Sequence, residues 1–306
     1  MSYSIRTIAA LIGAEHIGHC EGVVEWLLTD SRSLCFPEET LFFALVSKRG
    51  DGHHYIAELY ERGVRHFVVS ERPDDAMLHA CPEAGFLIVE DTLAALQRLG
   101  EKHRKAFDIP VVGITGSNGK TIVKEWLSQL LGHSLNVARS PRSYNSQVGV
   151  PLSVWQINKH TQIALIEAGI SEPHEMPRLQ QIVSPTIGVL TNIGGAHQEN
   201  FSSLQEKCSE KLALFRDSEV IIFNGDDELI MGAIEQALPS IRKMAWSRTH
   251  VDMPLYIASV KTEDKSSTIT YCYQGTEGYY TLPFADEASI ENSIRSEEHT
   301  SELQSQ

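Results

Sequence analysis

The sequence has few cysteines, and their spacing does not suggest a structural framework. Five cysteines are scattered over 306 residues, an odd number with no C-x-x-C pair among them. This arrangement favours neither a disulfide scaffold nor a zinc cluster. We therefore expect reduced thiols in or near hydrophobic cores.

Long apolar segments are also missing. No run approaches the roughly 20 apolar residues that a helix needs to cross a bilayer. The N-terminal segment is interrupted by polar residues and has no signal-type cleavage site. The sequence therefore predicts a cytoplasmic protein without membrane insertion.

Positive charge is scarce. The chain has 26 Lys and Arg against 40 Asp and Glu, which gives a net charge of −14. Because no local basic patch compensates for this excess, nucleic acid is not an expected partner. An anionic substrate would have to be held by a few placed cations, backbone amides and metal ions.

What the sequence does have is an α/β pattern that changes along the chain. Its length suggests about two domains of roughly 150 residues each. Residues 1–100 alternate short apolar runs with turns, whereas residues 101–294 contain longer βα units. Such units predict a mainly parallel sheet with helices on both faces, and a Thr- and Tyr-rich segment at 252–284 suggests an antiparallel edge. In the first part, strands are predicted at 40–45, 63–70 and 85–90, and helices at 51–63 and 92–107.

The segment "GITGSNGKTIVKEW", residues 113–126, predicts a phosphate-binding loop between a strand and a helix. Its glycine spacing, G-x-x-G-x-x-G-K-T, departs from the strict G-x-x-x-x-G-K-[ST] pattern. Backbone amides of the loop and the positive end of the helix dipole would hold a phosphate. Lys120 would reach the terminal phosphates and the Thr121 hydroxyl would bind magnesium. The amides belong to Gly116, Ser117, Asn118 and Gly119.

Polar residues follow other predicted strands. Glu167 closes the strand "QIALIE", where a carboxylate can meet a phosphate-bound magnesium ion, although a solvated glutamate is the alternative. His197 follows the strand in "TNIGGAH", and a lone histidine there is more often structural. Lys211 lies in a predicted helix, where a lysine usually faces solvent.

The loop resembles the ATP-binding loop of the Mur ligase family, T-G-[TS]-N-G-K-[TS]. Further segments occur in the order of that family and cover nearly the whole chain up to Ile294: "DSR", "DGHHY", "YNSQVGVPLS", "EAGIS", "TNIGGAH" and "ENSI". Within the family the combination is most similar to the MurF type. More narrowly, it is similar to the ligase half of a MurF and alanine racemase fusion, although no racemase domain is present.

The resemblance implies a small N-terminal α/β domain that binds the UDP substrate, residues 1–100, followed by an ATP-binding P-loop central domain, residues 101–294. It implies a ligase of peptidoglycan precursor synthesis that joins D-alanyl-D-alanine to UDP-N-acetylmuramoyl-tripeptide through an acyl phosphate. ATP and two Mg²⁺ ions would be required. PLP would belong only to a racemase part.

The same resemblance assigns residues in the central domain. His197 becomes a second metal ligand, and Lys211 becomes a lysine that is carbamylated, with Lys207 as a competing candidate. Asn145 matches the family stretch that meets the muramoyl substrate, and Asn192, at the same predicted sheet edge, is expected to orient the site rather than react. A further asparagine, Asn292, would contact adenine, although serine replaces the earlier asparagine of the family's H-N-x-x-N pattern.

In the N-terminal domain the resemblance points to the UDP end of the substrate. The candidates are turn residues, and a purely structural role is the alternative for each of them. They are Ser31, Arg32, Asp51 and His53.

The end of the chain differs in character from what precedes it. The codons of a common sequencing-library adapter translate to the run from Arg295 to Ser305. We therefore expect the native frame to end at Ile294 and residues 295–306 to be a non-native tail; an ordinary disordered polar tail is the alternative. On this interpretation the C-terminal domain of Mur ligases is missing, and the chain would bind its substrates but ligate poorly or not at all.

Two other functions stay open. A folylpolyglutamate synthetase uses the same type of loop with a modified lysine, but the "DSR" and "DGHHY" segments resemble a UDP-muramoyl-binding domain instead. A nucleotide and UDP-sugar binding module without turnover belongs to a different class. Both alternatives would keep the ATP loop. The identity of the second substrate and the presence of turnover therefore distinguish the muramoyl ligase, the folylpolyglutamate synthetase and the binding module.

Overall fold

A computed structural model describes residues 2–48, 50–195 and 200–304. The chain divides into two compact units. The first extends to Phe107 and includes Ile157–Lys159, and the second begins at Asp108. No helix in the described part of the chain is long and apolar enough to cross a membrane.

The first unit is a small α/β fold around a five-stranded sheet. The sheet order is β2-β9-β8-β5-β4, parallel except for the β2–β9 pair. The strands are β1 (Tyr3–Ser4), β2 (Glu15–Gly18), β3 (Val23–Val24), β4 (Trp26–Leu28), β5 (Thr40–Phe43), β6 (Val46–Ser47), β7 (Gly50–Asp51), β8 (His66–Val69) and β9 (Gly85–Ile88). The helices are α1 (Ile5–Ile12), α2 (Ile56–Glu61), α3 (Asp75–Ala80) and α4 (Thr92–Arg104), with 3₁₀ turns at Ser31–Ser33, Pro37–Glu39 and Gly52–Tyr55.

Aromatic residues from three neighbouring strands form the centre of this unit. Phe42, Phe67 and Phe86 are each at most 1% exposed and pack ring against ring. The three strands predicted in residues 1–100 are confirmed as β5, β8 and β9. The helix predicted at 92–107 is confirmed as α4, which starts where the Asp91 carboxylate accepts the amides of the first turn.

The second unit contains a nine-stranded sheet of order β11-β12-β10-β13-β14-β15-β16-β17-β18. The strands are β10 (Val111–Thr115), β11 (Val137–Arg139), β12 (Ile163–Glu167), β13 (Ile187–Leu190), β14 (Val220–Asn224), β15 (Arg242–Ser247), β16 (Leu255–Glu263), β17 (Ser266–Tyr273) and β18 (Thr276–Leu282). The helices are α5 (Lys120–Gly132), α6 (Gly149–Val154), α7 (Met176–Val183), α8 (Leu204–Leu212), α9 (Glu228–Ala237) and α10 (Glu287–Gln304), with a 3₁₀ turn at Ala213–Phe215.

Pairing in this sheet is parallel from β11 through β16 and antiparallel from β16 to β18. Each residue of β12 is buried, as is typical of a parallel strand covered on both faces. The predicted mainly parallel sheet and its antiparallel edge at 252–284 are therefore both confirmed.

Side-chain alternation along β10 explains how helices cover both faces. Val112 and Ile114 point towards Val123 and Leu127 of α5 and form one hydrophobic core. Gly113 points to the opposite face, where an added Cβ would lie 2.9 Å from the Pro185 side chain. Glycine at this position lets the second layer pack closely against the sheet.

The helix α10 packs against α5 and ends at Gln304. Its residue Arg295 is 2% exposed and forms an ion pair of 2.9 Å with Glu291 one turn earlier. The guanidinium also lies over the Trp246 ring at 5.8 Å.

Candidate phosphate and metal site

The glycine loop connects the carboxyl end of β10 to the start of α5. Gly116 and Gly119 have φ values of +142° and +81°, a region that side chains rarely adopt. An added Cβ on Gly116 would lie 1.9 Å from Thr191 Oγ1, and one on Gly119 would lie 2.5 Å from Asn292 Oδ1. Both positions therefore require glycine for conformation and for space.

The segment after β13 braces this loop. The Ser117 amide donates to the Asn192 carbonyl at 2.8 Å, and the Asn118 amide donates to Asn192 Oδ1 at 2.9 Å. The Thr191 hydroxyl donates to the Asn118 carbonyl at 2.6 Å, and the Gly194 amide donates to Ser117 Oγ at 2.9 Å. Asn192 thus accepts hydrogen bonds from two loop amides, whereas the first amides of α5 have no intrahelical partner.

Lys120 begins α5 and folds back over the loop. Its Nζ donates to the carbonyls of Gly116 at 2.9 Å and Ser117 at 3.2 Å. Burial lowers the pKa of Lys120, while the Glu167 carboxylate opposes that change. The ammonium therefore lies beside the loop and is held by two of its carbonyl groups.

Glu167 is the centre of a buried hydrogen-bond network. It closes β12 next to β10, in register with Ile114, and is 1% exposed. Thr121 Oγ1 donates to Glu167 Oε2 at 2.9 Å, and Asn145 Nδ2 donates to Oε1 at 2.6 Å. The Glu167 amide donates to Ser140 Oγ at 3.1 Å. A hydroxyl and a carboxylate oxygen so close together are a pair of ligands that suits Mg²⁺.

Lys211 reaches the same loop from α8. This helix starts at Leu204 because the Ser203 hydroxyl accepts the Glu206 amide at 3.0 Å. Lys211 is 3% exposed, and its Nζ donates to the Gly116 carbonyl at 3.2 Å. Burial, followed by the nearby ammonium groups of Lys120 and Lys207, lowers the pKa of Lys211 to about 7.

Lys207, the competing candidate for modification, lies one turn earlier on α8. It is 1% exposed and donates to the carbonyl of Gly194. Its ammonium also lies 6.0 Å from the centre of the Phe201 ring. Lys207 thus contacts the segment after β13, whereas Lys211 contacts the phosphate loop.

A cavity of 310 Å³ connects most of these groups. Of the residues assigned from the sequence, it is lined by Gly116, Ser117, Lys120, Asn145 and Lys211. Thr121 and Glu167 join them through the hydrogen bonds to each other and to Asn145. His197 lies outside the described residues. Throughout 2–48, 50–195 and 200–304, no three His, Cys, Asp or Glu side chains are grouped to hold a metal ion.

Asn292 lies on α10 beside the start of α5. It is 4% exposed, and its Oδ1 accepts a hydrogen bond of 2.9 Å from Arg295 Nη1. The expected adenine contact stays a prediction.

The candidates in the first unit have partners of their own. The Asp51 carboxylate accepts from the His53 amide at 2.9 Å and from Nδ1 at 2.6 Å, while His53 Nε2 accepts from the Ser70 amide at 3.1 Å. These bonds from His53 lower the pKa of Asp51. Arg32 is exposed and pairs with Asp30 at 2.6 Å, and the Ser31 carbonyl accepts from Arg62 Nη1 at 2.9 Å. These hydrogen bonds are compatible with the structural alternative, and the expected contact with the UDP end stays a prediction.

The sequence interpretation missed several residues of the central site. Lys124 lies three positions after Thr121 on α5, on the same helix face, and this spacing could have indicated it. Ser140 and Thr191 give no such signal, because only the folded chain brings them to Glu167 and to the loop. Ser143, 3.3 Å from Thr121 Oγ1, belongs to the same group.

Comparisons with known proteins show which family this chain resembles. The Mur ligase middle domain matches residues 114–296. A UDP-N-acetylmuramoyl-tripeptide--D-alanyl-D-alanine ligase of Bacillus subtilis is 30% identical over 277 residues, which cover 89% of this chain and 57% of that protein.

Solved structures show the same fold. MurF from Acinetobacter baumannii superposes with a TM-score of 0.88 at 25% identity over 99% of this chain and 66% of that one. MurF from Thermotoga maritima in complex with ADP has a TM-score of 0.78 at 22% identity, covering 91% and 63%. A folylpolyglutamate synthetase (FPGS) from L. casei is less similar, with a TM-score of 0.54 at 13% identity over 68% and 61%.

The chain spans 57% of the Bacillus relative and 66% of the Acinetobacter structure. The matched segment contains the glycine loop from Ile114 onwards, Glu167, Lys211 and Asn292. On this match, the chain belongs to the Mur ligase family.

Proposed function

We propose that this chain forms the ATP-binding and UDP-substrate-binding part of a ligase that adds D-alanyl-D-alanine to UDP-N-acetylmuramoyl-tripeptide. The observation that carries the proposal is the convergence of the glycine loop, the Thr121–Glu167–Asn145 network and Lys211 on one cavity. The names of the MurF relatives support the choice of substrates.

Nucleotide binding would use the start of α5. The first amides of a helix have no intrahelical partner, and they carry the positive end of the dipole. Lys120 would exchange its two carbonyl partners for phosphate oxygens, a stronger charge-assisted interaction. This exchange costs little because the ammonium already lies beside the loop.

A magnesium ion would fit between Thr121 and Glu167. Their oxygens are 2.9 Å apart, and both are hard ligands of the kind that Mg²⁺ prefers. A second ion would be held by His197 and a modified Lys211. When bound, the ions would neutralise charge on the phosphates.

Carbamylation of Lys211 is part of this proposal. The reaction needs the neutral amine, which attacks CO₂ to form an N–C bond and releases one proton. Because the pKa of Lys211 is about 7, a large share of the amine is neutral near pH 7 to 8. The resulting anion would lie among the ammonium groups of Lys120 and Lys207, which would stabilise it.

The ligation would proceed in two displacements. The terminal carboxylate oxygen of the tripeptide bonds to the γ-phosphorus and ADP leaves, which gives an acyl phosphate. The dipeptide amine then attacks the acyl carbon, loses a proton, and inorganic phosphate leaves. Lys120 would stabilise negative charge that develops on the transferred phosphoryl oxygens.

Phosphate release measured with substrates added one at a time tests the proposal. For the whole ligase of which this chain would form part, release that requires ATP, UDP-N-acetylmuramoyl-tripeptide and D-alanyl-D-alanine together, with the ligated product detected by mass spectrometry, is the expected result. From this chain alone we expect binding of ATP and the UDP substrate with little or no phosphate release. Binding of both by the whole protein without any phosphate release would favour the binding module instead. Release supported by a folate and glutamate would favour a folylpolyglutamate synthetase.

A further inference from the structure

Lys124 is a buried lysine that the proposed mechanism does not use. It lies on α5, one turn after Lys120, and its side chain is fully shielded from solvent. Its Nζ donates to the Arg142 carbonyl and lies 3.3 Å from Glu125 Oε1 and 3.8 Å from Glu167 Oε2. Three oxygens therefore compensate for the burial of this ammonium.

One oxygen of Glu167 is shared between two neighbours. Glu167 Oε2 accepts the Thr121 hydroxyl at 2.9 Å and forms the 3.8 Å ion pair with Lys124. This is the oxygen that a metal ion beside Thr121 would use. Lys124 therefore places a positive charge next to the proposed metal position.

We propose that Lys124 keeps the affinity of Glu167 for free Mg²⁺ low, so that the ion is held only together with nucleotide phosphates. The inference rests on the proposed function and names a residue that sets the affinity of the site for free Mg²⁺. It does not require Lys124 to touch the metal or the nucleotide.

Electrostatics gives the direction and a lower limit to the effect. An Mg²⁺ ion bonds to carboxylate oxygen at about 2.1 Å, so an ion on Oε2 lies no more than about 6 Å from Lys124 Nζ. Even with the dielectric constant of water, repulsion at that distance weakens binding about tenfold. In a buried site the penalty is larger. Nucleotide phosphates would offset it by adding negative charge.

The alternative is that Lys124 only ties the loop at Arg142 to the helix. Two substitutions separate charge from hydrogen bonding. Lys124→Gln keeps an amide donor for the Arg142 carbonyl but removes the charge, whereas Lys124→Arg keeps the charge. Lys124→Met removes both. The control is Lys105→Met, which removes an exposed lysine whose ion pair with Glu101 is 2.8 Å long.

Calorimetric titration of MgCl₂ into the nucleotide-free protein tests the inference. We expect Lys124→Met and Lys124→Gln to bind Mg²⁺ at least tenfold more tightly than the wild type. Lys124→Arg and Lys105→Met should stay within threefold of the wild type. Adding Glu167→Gln should abolish the gain, since Lys124 acts through that carboxylate.

The outcomes distinguish this inference from the proposed function. Wild-type protein that binds ADP only with Mg²⁺, together with uncharged Lys124 variants that gain no affinity for free Mg²⁺, overturns the inference alone. A gain that persists in the Glu167→Gln background also overturns it. Wild-type protein that binds no nucleotide with Mg²⁺ overturns the proposed function and this inference with it.

Discussion

Replacing Gly116 by alanine should lower the free energy of unfolding and weaken nucleotide binding. A non-glycine residue at φ +142° costs about 1–3 kcal/mol. The new Cβ would also displace the Thr191 hydroxyl, 1.9 Å away, from its hydrogen bond to the Asn118 carbonyl. Loss of that bond adds about 1 kcal/mol. We therefore expect the free energy of unfolding to fall by about 3 kcal/mol.

Urea unfolding followed by tryptophan fluorescence measures this change in stability, and calorimetric titration with ADP and Mg²⁺ measures the affinity for the nucleotide. Gly132→Ala is the matched control, because nothing lies within 4 Å of an added Cβ and the position is helical. That variant should be as stable as the wild type or up to about 1 kcal/mol more stable. In Gly116→Ala/Thr191→Ala, part of the loss should be recovered. A Gly116→Ala protein with the wild-type urea midpoint and ADP affinity would refute the reasoning.

Three further changes should follow from the same structure. Burial lowers the pKa of Lys211 from 10.5 to about 7, so folding releases its proton between these pH values. The free energy of unfolding in CO₂-free buffer should therefore rise as the pH increases from about 7 to 10.5. Lys211→Met should flatten this dependence, as measured by urea unfolding. Burial lowers the pKa of His66 to about 4, so the unfolded chain takes up a proton at a higher pH than the folded protein does. The free energy of unfolding should therefore fall by up to about 3 kcal/mol as the pH decreases from 6.5 to 4. His66→Gln should reduce this acid sensitivity. Asn192→Ala should cost about 1 kcal/mol by removing the acceptor for the Asn118 amide, and thermal unfolding with no change would contradict the bracing role.

Sequence patterns were sufficient for the part of the site that depends on strand order. Thr121 follows β10 and Glu167 ends β12, and in a parallel sheet the carboxyl ends of neighbouring strands meet at one edge. Their hydrogen bond of 2.9 Å is a direct result of that topology. The loop glycines were equally predictable from the sequence, because their spacing is typical of a phosphate-binding loop.

Residues that act through long-range contacts could not be predicted in the same way. Thr191 matters because its hydroxyl reaches the loop from the next strand, and a buried threonine has no distinguishing pattern in the sequence. The burial that shifts the pKa of Lys211 is likewise a property of the fold, since a lysine on α8 looks like an ordinary surface residue. Short strands such as β11 were missed because three residues give too little periodicity.

The Asp51 and His53 pair of the first unit has hydrogen bonds that the sequence motif does not reveal. The Asp51 and His53 pair suggested a contact with the UDP end of a substrate, yet the His53 ring is bonded at one nitrogen to Asp51 and at the other to the Ser70 amide. Two such bonds fix the turn after β7. Nothing in the sequence indicated these hydrogen bonds, and the expected contact with the UDP end stays a prediction.

The central claim is an ATP site in which Glu167 and Thr121 hold magnesium beside the glycine loop. Calorimetric titration of ADP into wild-type and Glu167→Gln protein, each with Mg²⁺ and with EDTA, tests it most directly. The account predicts that Mg²⁺ strengthens ADP binding at least tenfold in the wild type and has little effect in Glu167→Gln. Equal ADP affinity with Mg²⁺ and with EDTA in the wild type would contradict it.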